Sequence, residues 1–198
     1  MESLAPAKKE CVAIPFIKYD VETQGFNITK EAIDFLKGIP GKIGIISVCG
    51  KYRTGKSYLL NKLFMEKLRQ QREDSSVKGF QVGPTINACT KGLWIWKEVF
   101  YSEMDEDKDL PIIIIDTEGL GAFDEEQNHD TKIFLLAMLL SSLLIYNSMG
   151  PIDENALNNL SLVVNLSKSL QIKKGEAATD ADEMAQYFPS FLWILRDF

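Results

Sequence analysis

A side-chain ammonium followed directly by a hydroxyl, with two glycines at fixed distances before them, stands in Gly50-Lys51-Tyr52-Arg53-Thr54-Gly55-Lys56-Ser57. The pattern is G-x-x-x-x-G-K-[ST], and each position has a chemical reason. Gly50 and Gly55 let the backbone curl so that successive N–H groups point inward, a nest for phosphate oxygens at a helix start. Lys56 is placed to reach the terminal phosphates, and the Ser57 hydroxyl to meet Mg²⁺. Such a loop is credible only between a strand and a helix. Upstream, Lys42-Ile43-Gly44-Ile45-Ile46-Ser47-Val48-Cys49 is an apolar, β-branched run. Downstream, Tyr58, Leu59, Leu60, Leu63, Phe64 and Leu68 recur at helical spacing. These residues imply a nucleotide phosphate site.

A second constellation, Asp116-Thr117-Glu118-Gly119-Leu120-Gly121, ends the apolar run Leu110-Pro111-Ile112-Ile113-Ile114-Ile115. An Asp at the carboxyl end of a buried strand is where a nucleotide-binding sheet keeps a second Mg²⁺ carboxylate. Alone, Asp116 reads equally well as a helix cap; beside the phosphate loop, the Mg²⁺ reading takes over. Thr117, Gly119 and Gly121 make the segment pliable enough to follow a terminal phosphate. His129, the only histidine, lies in the polar stretch Ala122 to Thr131 with no second His or Cys at ligand spacing. A general-base role is conceivable, but a surface residue is the expectation. Cys11, Cys49 and Cys89 are too few and too scattered for a disulfide framework or a zinc knuckle, and Cys49 reads as a small core residue.

The bulk numbers bound what surrounds these motifs. With 198 residues, 45% hydrophobic and 25% charged, the chain has about one domain's worth of sequence and an ordinary globular composition. A formal charge of −6 advertises no basic face, so no nucleic acid is expected as a partner. Much of the acid sits in the run 103–109, read as a solvated loop. The first ten residues lack the apolar run of a signal peptide. The longest apolar stretch, Ile133 to Tyr146, falls short of the roughly 20 residues a spanning helix needs. No direct membrane insertion and a cytoplasmic location are the expectation.

The elements that must position the motifs follow from periodicity. Val12 to Tyr19 reads as a strand that Pro15 demotes to an edge. Asn27 to Ala32 opens a helix capped by Asn27 or Thr29, with Ala32, Ile33, Phe35 and Leu36 as its buried stripe. A long loop, Phe80 to Gly92, precedes the strand Leu93 to Phe100. That strand and the Leu110–Ile115 strand are close enough to form an antiparallel hairpin at one edge of an otherwise parallel sheet. Ile133 to Leu140 reads as a helix, Leu143 to Asn147 as a strand, and Asn155 to Lys174 as an amphipathic helix with Leu157 on its buried face. Gly175 to Met184 is a loop. Phe191 to Leu195 is expected to be a buried strand delivering Arg196-Asp197-Phe198 at its carboxyl end. Strand and helix alternate, which predicts an α/β, three-layer, P-loop NTPase fold with the site at the strands' carboxyl edge.

Taken together, these residues resemble the guanylate-binding proteins, large GTPases of the dynamin superfamily related to the atlastins. The resemblance is carried by Gly50 to Leu63, Thr90-Lys91-Gly92-Leu93-Trp94, Asp116 to Gly121, Tyr146-Asn147-Ser148 and Leu195-Arg196-Asp197-Phe198. It implies GTP as substrate, with Mg²⁺ held by Ser57, Thr90 and Asp116. Catalysis would rest on Arg53, Lys56, Thr90 and Glu118. Nucleotide contacts would come from Gly50, Lys51, Tyr52, Arg53, Thr54, Gly55, Lys56, Ser57, Tyr58, Gly119, Arg196 and Asp197. Arg53 resembles an arginine finger supplied in cis when two GTPase domains pair face to face, as a GTP-dependent homodimer or a heterodimer with related GTPases. Thr90 would contact Mg²⁺ and sense the terminal phosphate. Glu118 resembles the carboxylate that organises water around the attack. No Asn-Lys-x-Asp tetrad stands on a strand end; Arg196-Asp197 replaces it, with Asp197 accepting from guanine's ring N–H and amine. Adenine offers a ring acceptor there, so a buried charge would be left unpaired.

Two departures qualify this picture. Ala88 stands where the family often has a serine that helps place the attacking water, so turnover could be slower. The family's GTPase domain also continues past Asp197 with a guanine-capping loop, a strand and helix, then a helical domain. The expectation is therefore residues 1–198 as a GTPase domain incomplete at its C-terminus, with the helical domain absent and apolar surface exposed. Two functions fit: a GTPase pairing through its nucleotide face, or a hydrolytically weak module regulating full-length relatives by heterodimerisation. An ATP-using enzyme is disfavoured by Arg196-Asp197.

Overall fold

The computed structural model describes residues 13–20, 22–23, 25–72, 79–82, 92–101, 109–120, 127–152, 154, 157, 161 and 188–197. In chain order the elements are β1 (Ala13–Asp20), β2 (Gly25–Ile28), α1 (Lys30–Lys37), β3 (Gly44–Cys49), α2 (Lys56–Leu60), a π turn (Asn61–Met65), α3 (Glu66–Arg72), β4 (Leu93–Trp96), β5 (Phe100–Tyr101), β6 (Pro111–Thr117), α4 (Gln127–Leu140), β7 (Leu143–Met149) and β8 (Ser190–Arg196). The sheet runs β2-β1-β4-β6-β3-β7-β8, and β5 also pairs with β6. β6, β3, β7 and β8 are parallel to their neighbours in that order. This is the mixed α/β architecture expected of a P-loop fold, with parallel strands at its centre.

The strands are buried from both sides because alternate residues face opposite layers. Ile113 and Ile115 of β6 join Ile14, Phe16, Ala32, Leu93 and Ile133 on one face. Ile114 joins Val48, Leu60, Met65 and Leu68 on the other, under the helix that leaves the phosphate loop. Near-continuous apolar runs in β3 and β6 follow from that double coverage.

Several expectations need correction. β1 is not an edge strand: it lies between β2 and β4. Its register on β4 shifts between Pro15 and Ile17, so the residue without an N–H sits at a bulge, which a central strand tolerates. Gly25–Ile28 is the edge strand instead, and the helix begins later, at Lys30, capped by Thr29. Thr29 Oγ1 accepts from Ala32 N at 3.3 Å and donates to Pro15 O at 2.6 Å. The β4–β6 hairpin is antiparallel as expected, but β1 and β2 extend it, so the antiparallel part is a flank of strands rather than a terminal pair. The run Leu93 to Phe100 breaks after Trp96 and resumes only as β5.

β8 is the outer strand beside β7, and Phe191 and Leu192 are about half exposed rather than buried. Of the expected helix Asn155 to Lys174, only residues 157 and 161 are described, and Leu157 is exposed. The acidic run before Asp109, Cys11, Cys89 and the loop 175–184 lie outside the described residues. Cys49 is fully buried, and burial pushes its thiol well above the ordinary range, as a core residue.

Candidate active site

The phosphate loop is the turn from β3 into α2. Gly50 has φ 144°, and a Cβ there would fall 2.1 Å from Asn147 O, so only glycine fits against β7. Gly55, at φ 78°, caps α2 in the left-handed region that a Cβ disfavours. Arg53 shares that conformation with φ 61°, a strained setting for a non-glycine residue, and its side chain is exposed.

The loop is stitched to the segment after β6. Tyr52 N donates to Leu120 O at 2.8 Å, and Leu120 N donates to Gly50 O at 3.1 Å. Within the loop, Thr54 Oγ1 and Lys56 Nζ both donate to Lys51 O, at 2.8 and 3.2 Å. Lys56 is only 6% exposed. Burial lowers its pKa, while Asp116, Cys49 and Glu118 oppose that shift through the Coulomb field. A buried ammonium next to a curled backbone suits an anion.

Ser57 and Asp116 meet at the centre of this arrangement. Ser57 Oγ donates to Asp116 Oδ2 at 2.5 Å, and Asp116 is 1% exposed. Both offer hard oxygen, and Mg²⁺ typically takes one or two protein oxygens and fills its octahedron with phosphate and water. The pair therefore fits Mg²⁺. Among the described residues there is no cluster of three or more His, Cys, Asp or Glu that could hold a metal ion.

Two side chains brace the loop from the strands beyond it. Asn147, fully buried in β7, donates through Nδ2 to Thr54 O at 2.8 Å. Arg196, at the end of β8, donates through its guanidinium to the same oxygen at 3.2 Å and to Gly55 O at 3.5 Å. Its guanidinium carbon also stands 5.9 Å from the Tyr58 ring centre. Arg196 thus ties the last strand to the phosphate loop. Asp197 follows it, exposed, with φ 54°. Asn147 had no role assigned from sequence; its only signal was its place in the Tyr146-Asn147-Ser148 segment.

Glu118 and Gly119 complete the floor. A Cβ on Gly119 would lie 2.5 Å from Tyr52 Cα and 3.0 Å from Lys56 Nζ. Glu118 is buried, its N–H donates to Gly92 O at 2.8 Å, and its Oε2 accepts from Gly92 N at 2.8 Å. His129 is the main surprise. The expected surface residue belongs to α4, which starts at Gln127, well before Ile133. Its side chain is 10% exposed, with Nε2 3.1 Å from Glu118 Oε2. Its ring stacks on Phe26 at 5.5 Å and meets Tyr19 edge-on at 4.8 Å. The burial comes from the β1–β2 hairpin, which the sequence pattern did not reveal. Thr90, Lys91 and Ala88 lie outside the described residues.

Asn61-Lys62, the nearest approach to an Asn-Lys-x-Asp tetrad, serves another purpose. Asn61 sits in the π turn, accepts from Phe80 N at 2.7 Å and donates to Phe80 O at 2.9 Å. It anchors the chain beyond the helix.

Comparison with known sequences agrees with this geometry. The family described as "Guanylate-binding protein, N-terminal domain" matches residues 23–198. Guanylate-binding protein 7 of Mus musculus is 34% identical over 188 residues, covering 93% of this chain and 27% of that protein. Guanylate-binding protein 1 of Homo sapiens is 37% identical over 174 residues, covering 85% and 27%. The chain thus spans about a quarter of the length of the relatives it matches. A bacterial selenocysteine-specific elongation factor, EF-Sec, aligns at TM-score 0.36 with 11% identity over 78% of this chain and 26% of its own, too distant to bear on this one. On its matched residues and its relatives, the chain belongs to the guanylate-binding protein family, as part of its N-terminal domain.

Proposed function

We propose that this domain binds GTP with Mg²⁺ and hydrolyses it to GDP. The observation that carries this reading is the Ser57–Asp116 contact at the carboxyl ends of β3 and β6, directly beside the buried Lys56. Main-chain amides of the loop other than that of Tyr52, which is bonded to Leu120 O, cradle the phosphates, and Lys56 neutralises charge that grows on the terminal group. Ser57 and Asp116, with Thr90 as a further ligand, would hold Mg²⁺, which would supply charge neutralisation and orientation. Glu118, held in place before substrate arrives, orders the attacking water. Asp197 selects guanine, and Arg196 keeps that carboxylate in register with the loop. Tyr52, Tyr58 and Gly119 shape the walls.

Arg53 acts on the terminal phosphate when two domains pair through their nucleotide faces. Its exposure and left-handed backbone support an outward presentation that pairing can recruit. A finger of this kind is worth roughly 10³–10⁵ in rate. Among the described residues no helix is long and apolar enough to cross a membrane. The test is single-turnover hydrolysis by the purified chain against Arg53→Ala. A fall of at least about a hundredfold with intact nucleotide binding supports the enzyme. Negligible hydrolysis by the unaltered chain, with tight GTP binding, favours the second reading: a module that regulates longer relatives by heterodimerisation. Ala88 in place of a water-placing serine favours that alternative, and Ala88→Ser then restores turnover.

A further inference from the structure

We propose that His129 is a positioning residue for Glu118, an imidazole clamp that fixes the carboxylate and joins the two chain segments flanking the terminal phosphate. The proposal rests on the reading of this site as a GTP-hydrolysing centre.

Three observations support it. First, the two side chains are close and shielded: 3.1 Å apart, and 10% and 7% exposed. A hydrogen bond to a carboxylate in such a setting is stronger than the same bond in water. Second, the ring is held by its packing. Phe26 stacks on it and Tyr19 meets it edge-on, so β1 and β2 fix the imidazole plane independently of Glu118. A ring facing a carboxylate oxygen through Nε2 carries its proton there, whether neutral or charged. Third, the same Glu118 oxygen accepts from Gly92 N at 2.8 Å, while Glu118 N donates to Gly92 O at 2.8 Å.

The resulting chain of contacts runs from α4 through Glu118 to Gly92. Gly92 lies two residues beyond Thr90, and Glu118 two residues beyond Asp116. His129 therefore connects the start of α4 to the segment after β6 and, through Glu118, to Gly92 before β4. With one carboxylate oxygen held by two donors, rotation of the carboxylate is restricted before substrate binds. Pre-set orientation is worth rate rather than affinity, because an ordered water matters in the transition state more than in the bound ground state.

The test compares the unaltered chain, His129→Phe and His129→Gln. Phe keeps an aromatic ring between Tyr19 and Phe26 but removes the donor; Gln restores an N–H at similar reach. His129→Phe is expected to lower single-turnover GTP hydrolysis about tenfold or more, with the affinity for a non-hydrolysable GTP analogue within about threefold. His129→Gln is expected to recover most of that rate. An unchanged rate in His129→Phe, a loss that Gln does not relieve, or an equal loss of affinity overturns the proposal. Because this histidine is the only one, long-range ¹H–¹⁵N NMR reads its ring without assignment. A proton is expected on Nε2, with a shift that moves in Glu118→Gln; a ring protonated on Nδ1 alone, or no response, overturns the contact itself. An unaltered chain without GTPase activity sinks the proposed function, and the ring measurement then decides the clamp on its own.

Discussion

Gly119→Ala isolates the coupling between the phosphate loop and the segment after β6. A methyl carbon there falls 2.5 Å from Tyr52 Cα and 3.0 Å from both Tyr52 N and Lys56 Nζ. Carbon atoms settle at roughly 3.5–4.0 Å, so about 1 Å must be found between the two segments. They cannot simply part, because Tyr52 N–Leu120 O and Leu120 N–Gly50 O hold them together at 2.8 and 3.1 Å. Overpacking costs about 1–3 kcal/mol, and each lost backbone bond adds about 1 kcal/mol. The sum is about 2–5 kcal/mol, borne by the loop and by Lys56. If the lower end alone appears in binding, affinity falls at least about 30-fold. The assay is titration with a fluorescent GTP analogue and Mg²⁺, alongside thermal melts without nucleotide to separate affinity from folding. Binding within about threefold of the unaltered chain would refute the close approach as a determinant of the site.

Two further predictions concern the groups around the loop. Lys56 has its folded-state pKa depressed by burial, so over a window from that value up to 10.5 the unfolded chain holds the extra proton. Stability of the nucleotide-free domain must then rise with pH through that window, and Lys56→Met should remove the rise; urea melts at successive pH values below 10.5 report both. Asn147→Ala and Arg196→Met each remove one of two donors to Thr54 O, leaving the other in place, so each alone should cost about 1 kcal/mol. Together they orphan that carbonyl, and the double variant should lose about 1–3 kcal/mol beyond the sum, read as GTP-analogue affinity in a double-mutant cycle. Additive losses would remove the shared brace from the account.

The two motifs were legible in the sequence because they depend on local order. Gly50 to Ser57 and Asp116 to Gly121 declare themselves through spacing and through the apolar strands that precede them. The structure adds what holds them, and those contacts are separated widely in the chain. Asn147 and Arg196 reach Thr54 from two later strands, which no periodicity announces. His129 looked exposed because its neighbours in sequence are polar; Tyr19 and Phe26, more than a hundred residues earlier, bury it. Pro15 misled for the same reason: a proline signals a missing donor, but the bulge that excuses it belongs to the pairing with β4. The helix after the loop reads as one amphipathic run, yet its π turn leaves Leu63 about half exposed and Met65 buried. An extra residue per turn shifts the buried stripe, and only the Asn61–Phe80 anchor makes the shift intelligible.

Isothermal titration calorimetry on the folded chain, with GTP and Mg²⁺ and then with ATP as competitor, addresses the central claim most directly. A saturable heat that requires Mg²⁺, survives excess ATP and is lost in Asp197→Ala is the predicted result. Folded protein that gives no heat with GTP and Mg²⁺, or that binds ATP as well as GTP, would contradict it.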